Sequence, residues 1–342
     1  MTKATRTKTA RLLSLVAGVA LAAIAGTAQA QIKERNIRVS NGINEDHPVG
    51  NGVAKMKACM AEKSGGKLKL QAFWGGALGG DLQATQALRA GTQEMVITSS
   101  SPLVGIMPEL GVFDLPFLFT DEKEADAVLD GAFGKYISDK LPGFGVVNLA
   151  YWENGFRNLT NSKRAVTKAE EMTGLKVRVM QNNIFLDSFK TMGANATPMA
   201  FGEVFAALET HAIDGQENPL VTIDTSKLYE VQKYLTLSRH AYTPFLMLYS
   251  KKLWDQLSAE EQKILSDCAI VGRDEERKVS RELNDKSLAN LKAKGMQVSE
   301  VSAEELAKMR DSTQAVYQRH QATIGKDTIE RIQADLAKLR GK

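Results

Sequence analysis

Residues 258–295 read SAEEQKILSDCAIVGRDEERKVSRELNDKSLANLKAKG, and the apolar positions recur with helical spacing along the whole stretch. Ser258, with Glu261 three positions on, has the form of a capping box that opens a helix. Gly295 is the residue type that closes one. At 1.5 Å per residue such a helix spans roughly 50 Å, more than the width of one small domain. A helix of that length is suited to bracing two domains against each other. The competing reading is two helices with a break near Gly272, and both stand at this point.

Upstream of this stretch, short β-type runs alternate with helical ones. Asn36–Ser40, Lys67–Phe73, Glu94–Thr98, Gly145–Trp152, 175–179 and 196–200 carry strand patterns. Helical patterns fall at about 48–63, 81–90, 122–139, 183–192 and 202–210. Strands alternating with helices predict α/β layers with largely parallel sheets. A polar turn, AIDGQENP (212–219), is expected between the helical run ending at Thr210 and a second periodic run from Leu220 to Tyr234.

The first thirty residues have another character. Lys3, Arg6, Lys8 and Arg11 precede the apolar run LLSLVAGVALAAIAG, and Ala28-Gln29-Ala30 follows. This is the pattern of a secretory signal peptide cleaved after Ala30. The apolar run falls short of the roughly 20 residues that a spanning helix needs. Of 44 Lys+Arg and 40 Asp+Glu, the leader holds four basic residues and no acid, so the other 312 of 342 residues carry 40 of each. That balance offers no electrostatic footprint for nucleic acid. A mature chain of this length predicts two domains of roughly 150 residues each. It shows no internal repeat, no low-complexity tract and no second apolar run long enough to span a bilayer. Cys59 and Cys268, in an exported chain, form either one disulfide or two buried thiols. Neither has a second Cys or a His at ligand spacing, so no metal site is expected.

The motifs of nucleophilic, nucleotide-binding and zinc-hydrolase chemistry are absent. The Gly-rich WGGALGGD (74–81) reads as a strand-to-helix turn with Asp81 capping the next helix. His211 and His320 are expected on solvated helix ends. His47, in NGINEDHPVG, either lines a cleft or caps a helix. Two arginines stand out. Arg178, in LKVRVMQ, sits in a strand whose faces are both expected to be buried, where a guanidinium needs an anion to offset its desolvation. Arg157, in WENGFRNLT, follows a Gly turn at a strand end, where α/β folds place ligands. For each, the structural alternative is a salt bridge to a carboxylate of the protein itself.

Five segments in order resemble the solute-binding proteins of tripartite ATP-independent periplasmic (TRAP) transporters, in the dicarboxylate-type (DctP) branch. They are NGFRNLTNSKR (154–164), GLKVRVMQN (174–182), GANATPMAFGEVFAALET (193–210), AIDGQENP (212–219) and YEVQKYLTLSRH (229–240). The resemblance implies a periplasmic binding protein-like fold, with two α/β domains around a cleft and one long helix spanning both. It implies domains at 31–154 plus 244–283 and at 155–243 plus 284–342. It also implies capture of a small organic acid and its delivery to a TRAP membrane permease from the periplasm, with no cofactor and no catalysis. A four-carbon dicarboxylate is the first expectation and a sugar or hydroxy acid the second. By the same resemblance Arg178 clamps the carboxylate, Arg157 supports it, Asn218 contacts it and Phe201 closes over the ligand. Gln181, Ser99, Asp81 and His47 complete the expected set. Ser99 stands where the sialic-acid branch has an acid, which argues against sialic acid.

Overall fold

The computed structural model describes residues 32–341, so the expected leader lies outside them. Nine strands share one sheet: β1 (Arg35–Asn41), β2 (Leu68–Phe73), β3 (Met95–Ser99), β4 (Val146–Asn161), β5 (Lys176–Val179), β6 (Asn195–Pro198), β7 (Gly215–Pro219), β8 (Tyr234–Ser250) and β9 (Gln297–Glu300). The order is β2-β1-β3-β8-β4-β7-β5-β6, with β9 also on β8. The outer pairs β1–β2, β1–β3, β5–β6, β5–β7 and β8–β9 are parallel. Parallel neighbours need crossover connections, and the strand–helix alternation provides them. The two longest strands, β4 and β8, are antiparallel to each other, as are β3–β8 and β4–β7.

That long pair joins two halves. The early part of β4 lies against the late part of β8, which borders β3, while Arg157–Asn161 of β4 borders β7. Between them the register shifts at Asn148/Ala150, Glu153/Gly155 and Arg157/Leu159. Gly155, at φ 110°, supplies the backbone conformation that one of these bulges needs.

The helices are α1 (Pro48–Ser64), α2 (Asp81–Ala90), α3 (Glu122–Leu129), α4 (Ala132–Ser138), α5 (Asn183–Thr191), α6 (Val204–Glu209), α7 (Leu220–Thr225), α8 (Lys251–Trp254), α9 (Ala259–Ala293), α10 (Ala303–Ser312), α11 (Gln314–Ile324) and α12 (Lys326–Leu339). The 35 residues of α9 form one unbroken helix opened by the expected capping box. The Ser258 Oγ accepts from Glu261 N at 3.2 Å and the Glu261 carboxylate accepts from Ser258 N at 2.8 Å. Gly272 does not break it. A Cβ there would lie 2.7 Å from Trp152 Cζ2 and 2.8 Å from the Gly52 carbonyl, so glycine lets α1 and α9 meet backbone to backbone. Cys59 of α1 and Cys268 of α9 form a disulfide at the same interface, with Cα atoms 5.6 Å apart. At one end of α9 Glu261 holds Arg35 of β1; at the other Asn290 holds Asp224 of α7. The helix therefore spans both halves.

Five departures from the sequence reading have physical causes. AIDGQENP is no simple turn: Gly215–Pro219 is the fully buried strand β7, between β4 and β5. Its polar side chains bond one another and β4, so composition alone gives it the look of a loop. The run 220–234 is helical only to Thr225, and the 122–139 run is two helices parted at Asp130 and Gly131. The strand expected to stop at Trp152 continues through Gly155 to Asn161. Finally, the chain after residue 284 does not stay with one half, as the expected division has it. Val316, Ile324, Ile329, Ile332 and Leu336 of α11 and α12 join a core with Phe113, Val128 and Phe133 of the first half.

Candidate functional site

Where β4 and β8 cross between the halves, a cavity opens. Its free volume is about 40 Å³, well below the roughly 300–1,000 Å³ usual for small-molecule sites, so the lobes stand nearly shut on it. One wall comes from the first half: Asn41 at the end of β1 with Gly42 and Ile43 after it, Asp81 at the start of α2, and Ser99 at the end of β3. The other comes from Arg178 and Met180 at the end of β5, Phe201, Asn218 of β7 and Thr222 of α7. Asn154 of β4 and Phe245 of β8 form the floor at the crossing. Strand ends converge here because the parallel pairs of both halves run toward the cleft.

Arg178 is 3% exposed. Its Nε and Nη2 both donate to the Met199 carbonyl, at 2.9 and 2.7 Å. Its Nη1 is buried and has no hydrogen-bond partner among the described residues. Among the described residues no carboxylate lies within ion-pair distance of Arg178, although the Glu217, Asp81 and Glu203 charges act on it from further off. Loss of solvation pulls its pKa down to about 10, so it keeps its charge at neutral pH. A buried cation with one unused donor at a cavity wall is chemically suited to take an anion.

Arg157 is as deeply buried but partnered differently. It is fully buried behind the wall, and Nε and Nη2 fork onto the Glu217 carboxylate at 2.5 and 2.9 Å. Its Nη2 also donates to the Glu217 carbonyl at 2.6 Å and to Asn218 Oδ1 at 3.0 Å. Burial pushes Glu217 up, but the Arg157 charge and the His240 hydrogen bond outweigh it and leave the carboxylate below its ordinary value. Arg157 is thus neutralised by the protein, and it touches the cavity only through Asn218. The Asn218 amide, whose Oδ1 accepts from Arg157 and whose Nδ2 donates to Gln216 Oε1 at 2.5 Å, is held in one orientation.

Among the residues expected from sequence, the cavity gathers Arg178, Asn218, Phe201, Ser99 and Asp81. Phe201 packs on the cores of both halves and so bridges the cleft. Asp81 does not cap α2; Gly80 holds that position, which leaves the Asp81 carboxylate for the cavity. Burial raises its pKa against the Thr98 hydroxyl and the Arg178 charge. Gln181 is placed elsewhere, in a separate hollow with Asn182, Asn183 and Arg319, because the chain turns away after Met180. His47 caps α1 and stands behind Thr222 and Phe245 rather than at the cavity surface. His320 is not solvated but bonds Asp187 at 2.8 Å; His211 is exposed at the end of α6. Sequence reasoning missed Asn41, Asn154, Thr222 and Phe245; the first two open the segments NGINEDHPVG and NGFRNLTNSKR but were not singled out, and the other two lie outside any segment read as a site. Among the described residues no helix is long and apolar enough to cross a membrane, and no cluster of three or more His, Cys, Asp or Glu is arranged for a metal.

The family model for bacterial extracellular solute-binding proteins, family 7 (DctP), matches residues 39–323. This chain belongs to that family. Solved members share its fold. The sugar acid binding protein of Advenella mimigardefordensis, in complex with galactonate, is 48% identical over 90% of this chain and 99% of its own, with a TM-score of 0.88. A TRAP periplasmic solute-binding protein from Polaromonas, bound to D-erythronate, is 36% identical over 88% and 99%, with a TM-score of 0.84. Another from Sulfurospirillum deleyianum, with bound succinate, is 31% identical over 88% and 99%, with a TM-score of 0.84. Family 7 members thus hold small organic acids within this two-lobed α/β architecture.

Proposed function

We propose that this protein captures a sugar acid between its lobes in the periplasm and delivers it to a TRAP membrane permease, without chemical turnover. The observation that carries the proposal is the buried Arg178 guanidinium, which among the described residues has no partner for its Nη1 and no carboxylate within ion-pair distance. A ligand carboxylate completes it with a charge-assisted hydrogen bond, for which the planar guanidinium is better shaped than an ammonium. The remaining polar lining favours hydroxyls over a second carboxylate. The second buried arginine is already paired with Glu217, and the far wall presents Asp81, Asn41 and Asn154. An acidic side chain there accepts hydrogen bonds from hydroxyls and repels a second anion. This preference puts a sugar acid ahead of the four-carbon dicarboxylate expected from sequence.

In the open form the cavity is wet and Arg178 is solvated. A bound acid neutralises it, so desolvation and closure become favourable together and the population shifts to the closed form. The non-catalytic part of the proposal is supported by the lining, in which Asp81 is the one carboxylate, whereas acid–base catalysis by carboxylates needs two with separated pKa values. Calorimetry with D-galactonate and succinate tests the proposal. Galactonate should bind more tightly, and no new product should accumulate on long incubation. Arg178→Ala should lose about 2–5 kcal/mol, at least roughly thirtyfold in affinity. Unchanged binding by that variant would remove the carboxylate clamp from Arg178.

A further inference from the structure

One hydrogen bond crosses the cleft beside the cavity without belonging to its surface. His47, at the N-terminus of α1, accepts the Val49 N–H at Nδ1 at 3.3 Å. Nδ1 therefore carries no proton, and the hydrogen of the neutral ring sits on Nε2. That nitrogen lies 3.3 Å from the Thr222 Oγ1 of α7, on the opposite lobe. With Nε2–H donating, the threonine oxygen is the acceptor and its own hydrogen stays free. Among the described residues the Thr222 hydroxyl has no other partner, and the residue lines the cavity.

We propose that His47 is a positioning residue: as a neutral imidazole it makes the Thr222 hydroxyl a donor aimed at an oxygen of the bound acid, so that capture of the acid is coupled to loss of a proton from His47. This rests on the carboxylate-binding proposal above. In the closed form the residue is 1% exposed, in a T-shaped contact with Phe245 at 6.1 Å between centroids. A proton added to Nδ1 would face the Val49 N–H, donor against donor. The surroundings offer an imidazolium little compensation. The first turn of α1 has no acid, α7 presents Thr222 while its Asp224 is bonded to Asn290, and β8 presents Phe245. On the α9 side one Glu276 oxygen accepts the Glu153 N–H and the other has no partner among the described residues, while burial holds that carboxyl well above the usual range; Glu45 and Asp46 lie on the exposed side of the histidine's own turn. Burial alone accordingly pushes the ring down to about 3.

When the lobes part, the contact with Thr222 breaks and the ring meets water, where an imidazole titrates near 6.5. The closed form holds fewer protons on this base than the open form does. Closure is therefore fully favoured above about pH 6.5 and loses about tenfold per unit as the pH falls below it.

The test is calorimetry with D-galactonate from pH 8 to pH 5, a range in which its carboxylate stays ionised, repeated in two buffers of different ionisation enthalpy. Wild-type affinity should be level above pH 7 and about thirtyfold weaker at pH 5, with close to one proton released per ligand bound at pH 5.5. In His47→Gln the pH slope should flatten to under about threefold over the same range. Thr222→Val should bind more weakly at pH 8 and keep the wild-type slope. A wild-type slope in His47→Gln, or no proton release by the wild type at pH 5.5, overturns this inference and leaves the Arg178 site standing. If His47→Gln does not fold, the wild-type proton count and the Thr222→Val slope decide the matter. Failure of both galactonate and succinate to bind at pH 8 overturns the carboxylate-binding proposal and this one with it.

Discussion

At the scale of single residues, burial means different things for different polar groups. Arg157 and Arg178 are equally hidden, yet one holds a bidentate carboxylate and the other a carbonyl and an empty direction. Asp114 is a third case. It is 1% exposed and accepts hydrogen bonds from the Ser101 hydroxyl and from Asn182 Nδ2, the latter at 2.7 Å. Burial still raises it to about 7, above the usual carboxylate range, against those two bonds and the Arg157 charge. An acid raised in the folded state stabilises the protein below its unfolded pKa near 3.9, and that contribution is lost as the pH rises through 7. Denaturant unfolding of Asp114→Asn should therefore show a flatter pH dependence between 4 and 7 than the wild type, which should lose on the order of 4 kcal/mol from this group across that window. Identical slopes would show that Asp114 keeps an ordinary carboxylate pKa in the folded protein. How far such residues are legible in a sequence depends on neighbours. Arg178 announces itself because a charge amid LKVRV is locally out of place, and Asn218 and Phe201 lie in recognisable segments. Asn41, Asn154 and Thr222 are ordinary polar residues until the fold aims them at one point. For Arg157 the local sequence is the same with or without a partner sixty positions on, so the salt-bridge alternative and the ligand alternative read alike.

At the scale of elements, α9 and β7 show why one was read correctly and the other was not. The helix declares itself through periodicity and a capping box, both of which are local. Gly272 looks like a break in that pattern, because glycine costs a helix interior about 1 kcal/mol relative to alanine. The fold uses it differently, as the point where the α1 backbone, the α9 backbone and Trp152 come together. Gly272→Ala should therefore lower stability, by about 1–3 kcal/mol in urea unfolding, because overpacking against backbone outweighs the helix-propensity gain. A more stable variant would mean that the interface has slack. Strand β7 is hidden from the same kind of reading. Patterning treats Gln216, Glu217 and Asn218 as solvent-facing, whereas each is satisfied inside the protein, by Thr160, by Arg157 and His240, and by Arg157 and Gln216. A buried polar strand is permitted when every group has its bond, and those bonds come from residues far along the chain.

At the scale of the molecule, the disulfide and the cleft are separate features. Cys59 and Cys268 join α1 to the first half of α9, within the core built on β1, β3 and Trp152. The bond therefore braces one lobe and does not cross the cleft. Replacing both cysteines with alanine should cost about 2–5 kcal/mol of stability, seen as a lower Tm, while calorimetric affinity for galactonate shifts by less than about threefold, on the order of half a kcal/mol. A large loss of affinity would instead place the bond in the closing motion. The two-lobed plan was legible from strand–helix alternation and one long helix; the return of α11 and α12 to the first lobe was not, since their apolar faces fit either. The long pair of β4 and β8 has one more consequence. Ile97 of β3 pairs with Met247, and Val146 with Ser250, so the first lobe has no complete sheet until residues from the last third of the chain are present. A nascent chain cannot finish that lobe as it emerges, because its key pairings are distant in sequence and slow to form. Most of the polypeptide must be synthesised before either lobe reaches its native arrangement, which keeps the chain threadable late into translation.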